Sequence, residues 1–107
     1  MDVLLRIKRL AVRGQVRFTE KAREEMEVDD IGVTDVIESI VNAQAITKTL
    51  RSRSSSKRRS GEKLYVIKGF NFEGTLIYTK GAIVREAKRE IFYIFVSAKI
   101  ATFDEEA

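Results

Sequence analysis

The chain has 107 residues, 44% of them hydrophobic, and a formal net charge of +4, so we expect a single folded domain over residues 1–107. Cysteine and histidine are both absent, which excludes disulfides, thiolate catalysis, and metal sites or catalytic triads that depend on histidine. No apolar run approaches the roughly eighteen residues of a membrane span, and no cleavable signal is recognisable, so we expect a cytoplasmic protein with no membrane partner.

Three helices are predicted within residues 1–43. The first has apolar residues at helical spacing from Val3 to Ala11, and Gly14 is a plausible C-terminal stop. The short run QVRF then leads to Thr19, a predicted N-cap for the helix TEKAREEMEV. Thr34 is a second N-cap candidate, before the apolar stripe of DVIESIVNA. The N-terminal part of the chain is therefore predicted to be helical.

Beyond these helices the apolar pattern changes to the alternation that is typical of strands. Four strands are predicted, namely AITKTL (45–50), EKLYVIKGF (62–70), TLIYTKGAIV (75–84) and IFYIFVSA (91–98), with NFEG and REAKRE as turns. Because strands follow a helical segment, we expect an α+β domain in which two or three N-terminal helices pack on a mostly antiparallel, four-stranded sheet.

A basic, serine-rich segment interrupts the predicted sheet. RSRSSSKRRS (51–60) contains five cations, five serines and no apolar residue, so we expect a mobile loop over residues 51–61. Residues 51–100 carry twelve basic and four acidic side chains, a net +8, whereas residues 1–50 carry eight and nine, a net −1. Such polarity is typical of a nucleic-acid-binding surface. The RNA-binding candidates are Arg51, Arg53, Lys57, Arg58, Arg59 and Lys80; a solvated loop that binds nothing is the alternative.

Familiar catalytic and cofactor motifs are missing from the sequence. There is no Walker-type loop, no GxGxxG after a strand, no EF-hand loop and no GxSxG, so we predict neither a metal nor a cofactor. The acidic residues Glu24, Glu25, Asp29 and Asp30 are best explained as the solvated face of a helix. What remains as possible catalytic machinery is a set of lysines and tyrosines.

One reaction suits lysines and tyrosines. RNA can be cut when its own 2′-hydroxyl attacks the adjacent phosphate, and an enzyme must then accept a proton, stabilise charge on phosphorus and help the 5′-oxygen leave. A lysine crowded by other cations can have its pKa lowered enough to act as the base. A ribonuclease without histidine is therefore chemically reasonable, although ordinary packing roles for these side chains remain the alternative.

The order of segments resembles the MqsR family of bacterial toxins, messenger-RNA interferases with a RelE-like fold. The resemblance covers about residues 3–100, with GQVRFT the most specific stretch, and is carried by IKRLAVRGQVRFTEKA, GVTDVIESI, ITKTL, LIYTK and YIFVSAK. It implies N-terminal helices on a curved antiparallel sheet and catalytic residues at Lys48, Tyr78 and Lys99. The family's active-site glutamine has no counterpart in EKLYVIKG, where Lys63 or Tyr65 would have to serve.

The same resemblance implies a function and partners. It implies the endoribonuclease toxin of a type II toxin–antitoxin pair, acting on single-stranded mRNA by metal-independent 2′-hydroxyl attack, with an antitoxin protein encoded next to it. The pattern F-T-x-x-A-x-x-x-M…I-x-x-x-D-V also resembles a broader family of small uncharacterised domains, the DUF4258 type. Two alternatives therefore stay open: a non-catalytic RNA- or protein-binding module of the same fold, and a plain interaction domain whose basic loop is disordered.

Overall fold

The computed structural model describes residues 2–51, 62–86 and 91–102. Within these ranges the chain forms three helices and five strands, which confirms the predicted α+β class. In chain order the elements are α1 (Val3–Val12), β1 (Val16–Phe18), α2 (Glu20–Asp29), α3 (Val33–Asn42), β2 (Lys48–Arg51), β3 (Lys63–Phe70), β4 (Leu76–Arg85) and β5 (Ile91–Ile100). The predicted mobile loop, residues 51–61, lies outside the described residues apart from Arg51, and so do four of its cations, Arg53, Lys57, Arg58 and Arg59.

The strands form one mixed sheet in the order β1-β5-β4-β3-β2. β1 runs parallel to β5, with Val16 opposite Tyr93, and the other three pairings are antiparallel. The expectation of four strands was therefore wrong, because the run QVRF contributes a fifth. Three residues are too few for alternation to be recognised, and the pairing partner is a strand more than seventy residues away in sequence.

The helix ends show which local sequence signals operate. Thr19 is the N-cap of α2, as predicted, and its Oγ1 accepts a hydrogen bond from the N–H of Ala22 at 3.1 Å. Gly14 follows α1 with a φ of 75°, a left-handed conformation that suits glycine. Thr34 is not a cap: α3 begins after Gly32, whose N–H donates to Oδ2 of Asp35 at 2.8 Å. The acidic side chain thus satisfies a backbone donor at the helix start.

The core lies between the helices and one face of the sheet. Its fully buried apolar residues come from all three helices and from the central strands, and they include Ile7, Ala22, Val36, Ile40, Ile67, Tyr93 and Phe95. Gly69 allows α3 to approach β3 closely, since a Cβ at that position would lie 1.9 Å from the carbonyl oxygen of Ser39. The face opposite α1 and α3 has buried residues of its own, Val66 and Ala82, together with the half-buried Lys80.

α2 borders the end of β5 that extends beyond β1. Glu25 Oε1 accepts hydrogen bonds from Ser97 Oγ at 2.7 Å and from the N–H of Ala98 at 3.1 Å. Asp29 Oδ2 accepts from the N–H of Ile100 at 2.8 Å. The interpretation of these two carboxylates as part of a solvated helix face was therefore wrong, because they accept hydrogen bonds from backbone N–H groups of β5 beyond its pairing with β1.

Among the described residues, no helix has the length and apolar character needed to cross a membrane.

Candidate functional site

Four lysines and a tyrosine share the sheet face opposite α1 and α3, which we call the lysine face: Lys48, Lys68, Tyr78, Lys80 and Lys99. Two neighbouring cross-strand rows bring them together. One row runs from Lys48 through Val66 and Lys80 to Ser97. Alternate residues of a strand point to the same face, so the adjacent row runs through Lys68, Tyr78 and Lys99.

A bulge in β5 decides which face Lys99 occupies. Gly81 pairs with Phe95, but Lys80 pairs with Ser97, so Val96 is an extra residue in β5. Before the bulge, odd-numbered residues such as Phe95 face the core, and after it their parity reverses. Lys99 therefore lies on the lysine face, directly opposite Tyr78, rather than under the helices.

Lys80 lies at the centre of the lysine face and is half-buried. Burial lowers the pKa of its ammonium group from the ordinary lysine value, and the charges of Lys21, Lys99 and Lys48 lower it further. The carboxylate of Glu25 acts in the opposite direction and raises the pKa. The net result is a lowered pKa, so the neutral amine is more accessible at Lys80 than at an isolated lysine.

Tyr78 and Lys99 are in direct contact. The Nζ of Lys99 lies 5.5 Å from the centroid of the Tyr78 ring, a distance typical of a cation–π interaction. Both side chains are half-buried, so they are partly fixed by their surroundings and yet reachable from solvent. An ammonium and a phenol hydroxyl at one place can bind and protonate an oxygen of a phosphate ester.

Glu25 and Lys21 on α2 form the border of this site. Glu25 Oε2 lies 3.6 Å from Lys21 Nζ, and the Glu25 side chain is only 21% exposed. A groove of about 380 Å³ runs between α2 and the end of β5. Lys21, Glu25, Asp29 and Lys99 are among its lining residues. The lysine face therefore continues into a cleft whose border is acidic.

Three of the four residues predicted as catalytic lie on the same face of the sheet. Lys48, Tyr78 and Lys99 share the lysine face, and Lys80, predicted to bind RNA, lies between them. Lys63 is not with them: it pairs with Arg51 at the start of β3, and alternation directs it to the face that carries the buried Ile67.

Tyr65 and Lys68, also on β3, lie on opposite faces of the sheet. Tyr65, the alternative to Lys63, packs against the core. The residue of β3 that does pair with Tyr78 is Lys68, which sequence reasoning missed. Strict alternation along KLYVIKGF, counted from the buried Ile67, would have placed Lys68 on the face opposite the core. Glu25 was also missed, and no local sequence signal distinguishes it from the neighbouring Glu24.

Within the described ranges, no three acidic side chains come together in the manner of metal ligands. A comparison of the chain with known proteins finds no matching family model, no matching curated protein and no matching solved structure. The geometry and charge of the lysine face are therefore the features of this protein that indicate a function.

Proposed function

We propose that the protein is an endoribonuclease that cleaves single-stranded RNA by attack of the 2′-hydroxyl on the adjacent phosphate, with the lysine face as its active site. The main support for this proposal is the position of Lys80. It is a half-buried lysine with a lowered pKa, flanked by the charges of Lys48 and Lys99, and one row from Tyr78. Perturbed ionisable groups with identifiable charged neighbours are characteristic of catalytic sites.

The first half of the reaction needs a base and a cationic surface. In its neutral form Lys80 accepts the proton of the 2′-hydroxyl, and the resulting 2′-oxygen forms a bond to phosphorus. Negative charge then grows on the non-bridging oxygens. The ammonium groups of Lys48 and Lys99 stabilise this charge, because both side chains extend from the same face as Lys80 and their charges already act on it.

The second half breaks the bond between phosphorus and the 5′-oxygen. Tyr78 donates its hydroxyl proton to that oxygen, and the phenolate recovers a proton from the Lys80 ammonium formed in the first half. The products are a 2′,3′-cyclic phosphate and a free 5′-hydroxyl. Proton balance is restored within the site, and Lys80 returns to its neutral form.

More specifically, we propose that this endoribonuclease is an mRNA interferase toxin of a RelE-like, MqsR-like kind. Its support is the order of sequence segments together with N-terminal helices on a predominantly antiparallel sheet. A toxin requires an antitoxin protein, which would neutralise the lysine face or prevent RNA from reaching it. Induction of the chain alone should then arrest growth, and co-expression of the protein encoded next to it should restore growth.

A cleavage assay tests the reaction itself. Purified protein should cut a single-stranded RNA to fragments ending in 2′,3′-cyclic phosphate, and it should leave the all-deoxy version of the same strand intact. Cutting of the DNA strand, or fragments ending in a 5′-phosphate, would refute 2′-hydroxyl attack. Binding of both strands with cutting of neither would identify a non-catalytic nucleic-acid-binding module instead.

A further inference from the structure

A groove beside β3 adjoins the lysine face and has no part in the proposed reaction. Among the described residues, β2 pairs with β3 from Lys48 to Arg51, and just before Lys48 a further backbone hydrogen bond runs from Thr47 N–H to Val66 O, at 2.8 Å. Before Thr47 the chain diverges toward α3. The gap that results has a volume of about 340 Å³, with residues 42–45 and Thr47 on one side and Lys68, Gly69, Phe70 and Leu76 on the other.

Phe70 is one of the residues that line this groove. It is 54% exposed and is therefore reachable from solvent. Phe70 is two residues from Lys68 on β3, a spacing of about 7 Å along the strand, and alternation places both side chains on the same face. An aromatic ring next to a cation is the combination with which proteins bind single-stranded nucleic acid, through base stacking and phosphate contact.

The opposite wall of the groove is polar and anchored. Asn42 Nδ2 donates to the carbonyl oxygen of Phe70 at 2.8 Å, which connects the end of α3 to the end of β3. Lys8 Nζ donates to the carbonyl oxygens of Val41 and Ala43, at 2.9 and 2.6 Å. Gln44 follows this anchored segment and is exposed. Its carboxamide offers both a donor and an acceptor, as the edges of bases require.

From these observations we propose that this groove binds one unpaired base of the RNA strand, stacked on Phe70 and contacted at its edge by Gln44. The inference rests on the proposed function, since the strand is brought there by its phosphates on the lysine face. Lys68 connects the two sites because it pairs with Tyr78 and also lines the groove. The volume is near the lower end for small-ligand sites, which suits a single base.

A double-mutant cycle between protein and oligonucleotide tests this contact without requiring cleavage. The probe is a set of fluorescein-labelled, all-deoxy hexanucleotides, each intact or with one base replaced by an abasic site, and the measurement is the Kd. For one position, loss of the base should weaken binding to the wild type about tenfold, and Phe70→Ala should weaken binding of the intact strand similarly. Base loss and Phe70→Ala combined should raise the Kd no more than either change alone. Phe70→Trp should restore the dependence on that base.

Phe72 provides the matched control. It is 72% exposed, lies in the turn between β3 and β4, and does not line the groove. Phe72→Ala should therefore leave the ratio of Kd values for the abasic and intact strands unchanged at every position. If the wild type binds the strands but base loss and Phe70→Ala act independently at every position, the inference is wrong and the proposed function stands. If the wild type binds none of the strands, the inference is wrong, and the RNA cleavage assay decides the proposed function separately. Coupling at Phe70 without any RNA cleavage would support the groove and overturn the nuclease.

Discussion

Tyr78 and Lys99 lie directly opposite each other on β4 and β5, with the lysine ammonium 5.5 Å from the centre of the tyrosine ring. They share a face only because Val96 is an extra residue in β5. Without the bulge, Lys99 would point toward the core, where an unpaired ammonium is strongly unfavourable. The bulge is thus the local feature that joins the end of β5 to the lysine face.

The Tyr78 hydroxyl can be tested without disturbing its ring. Tyr78→Phe keeps the surface on which Lys99 rests and removes only the proton donor, so the single-turnover rate of RNA cleavage should fall by about 10²-fold or more. The Kd for RNA and the free energy of unfolding should change little. Tyr65→Phe is the matched control, because Tyr65 is on the next strand but packs against the core. A Tyr78→Phe rate equal to that of the wild type would remove Tyr78 from the mechanism.

The pH dependence of cleavage should report Lys80. Lysine is charged at low pH, and only its neutral form accepts a proton, so kcat/KM should rise with pH. Because burial and the charges of Lys21, Lys99 and Lys48 lower the pKa of Lys80, the rise should occur below the ordinary lysine range.

Two neighbours should shift this inflection in opposite directions. Lys21→Gln removes a charge that lowers the pKa of Lys80, so the inflection should move to higher pH. Glu25→Gln removes the charge that raises this pKa, so the inflection should move to lower pH. Glutamine can still accept the hydrogen bond from the N–H of Ala98. Shifts of the same sign in the two variants would mean that Lys80 is not the titrating group.

Gly69 should be required for α3 to pack on the sheet. In Gly69→Ala the new Cβ would meet the Ser39 carbonyl oxygen at 1.9 Å, so α3 must move away, and the free energy of unfolding should drop by about 3 kcal/mol or more. Gly32→Ala is the control, since its nearest neighbour would be Asp35 Oδ2 at 3.8 Å. Chemical denaturation of both variants measures the difference. Equal stabilities would show that α3 is not held this closely.

Tyr93 has a buried hydroxyl without a hydrogen-bond partner among the described residues. Burial also raises the pKa of this phenol above its ordinary value. Tyr93→Phe removes an unsatisfied polar group and keeps the ring contact with Phe95, 5.0 Å between centroids. The free energy of unfolding should stay the same or increase by about 1 kcal/mol. A loss of 1 kcal/mol or more would mean that the hydroxyl is hydrogen-bonded in solution.

Local sequence signals were sufficient for some features of this protein. Thr19 is followed by a helix because its side chain satisfies a backbone donor nearby, and that requirement is visible in the sequence. Alternation along LIYTK places Tyr78 and Lys80 on one face for the same kind of local reason.

Other features depend on contacts between distant segments. β1 exists because β5 pairs with it, and the role of Glu25 depends on the part of β5 that extends beyond β1. The bulge at Val96 reverses the parity of Lys99, and nothing in IFYIFVSAK marks its position. Lys63 was predicted beside the catalytic lysines because it stands where the resembled family has its glutamine, and alternation along β3 places it on the other face. Such features can be identified only once the pairing of the strands in the folded sheet is known.

Single-turnover cleavage of a single-stranded RNA by the wild type, Lys80→Met and Lys63→Met decides whether Lys80 is the base of the reaction. Methionine keeps much of the length of lysine and removes the amine, and Lys63 is a lysine of the neighbouring strand on the other face. We predict cleavage by the wild type and by Lys63→Met at similar rates. For Lys80→Met we predict a rate about 10²–10⁴-fold lower with RNA still bound. A Lys80→Met protein that cleaves RNA as fast as the wild type would show that Lys80 is not the base.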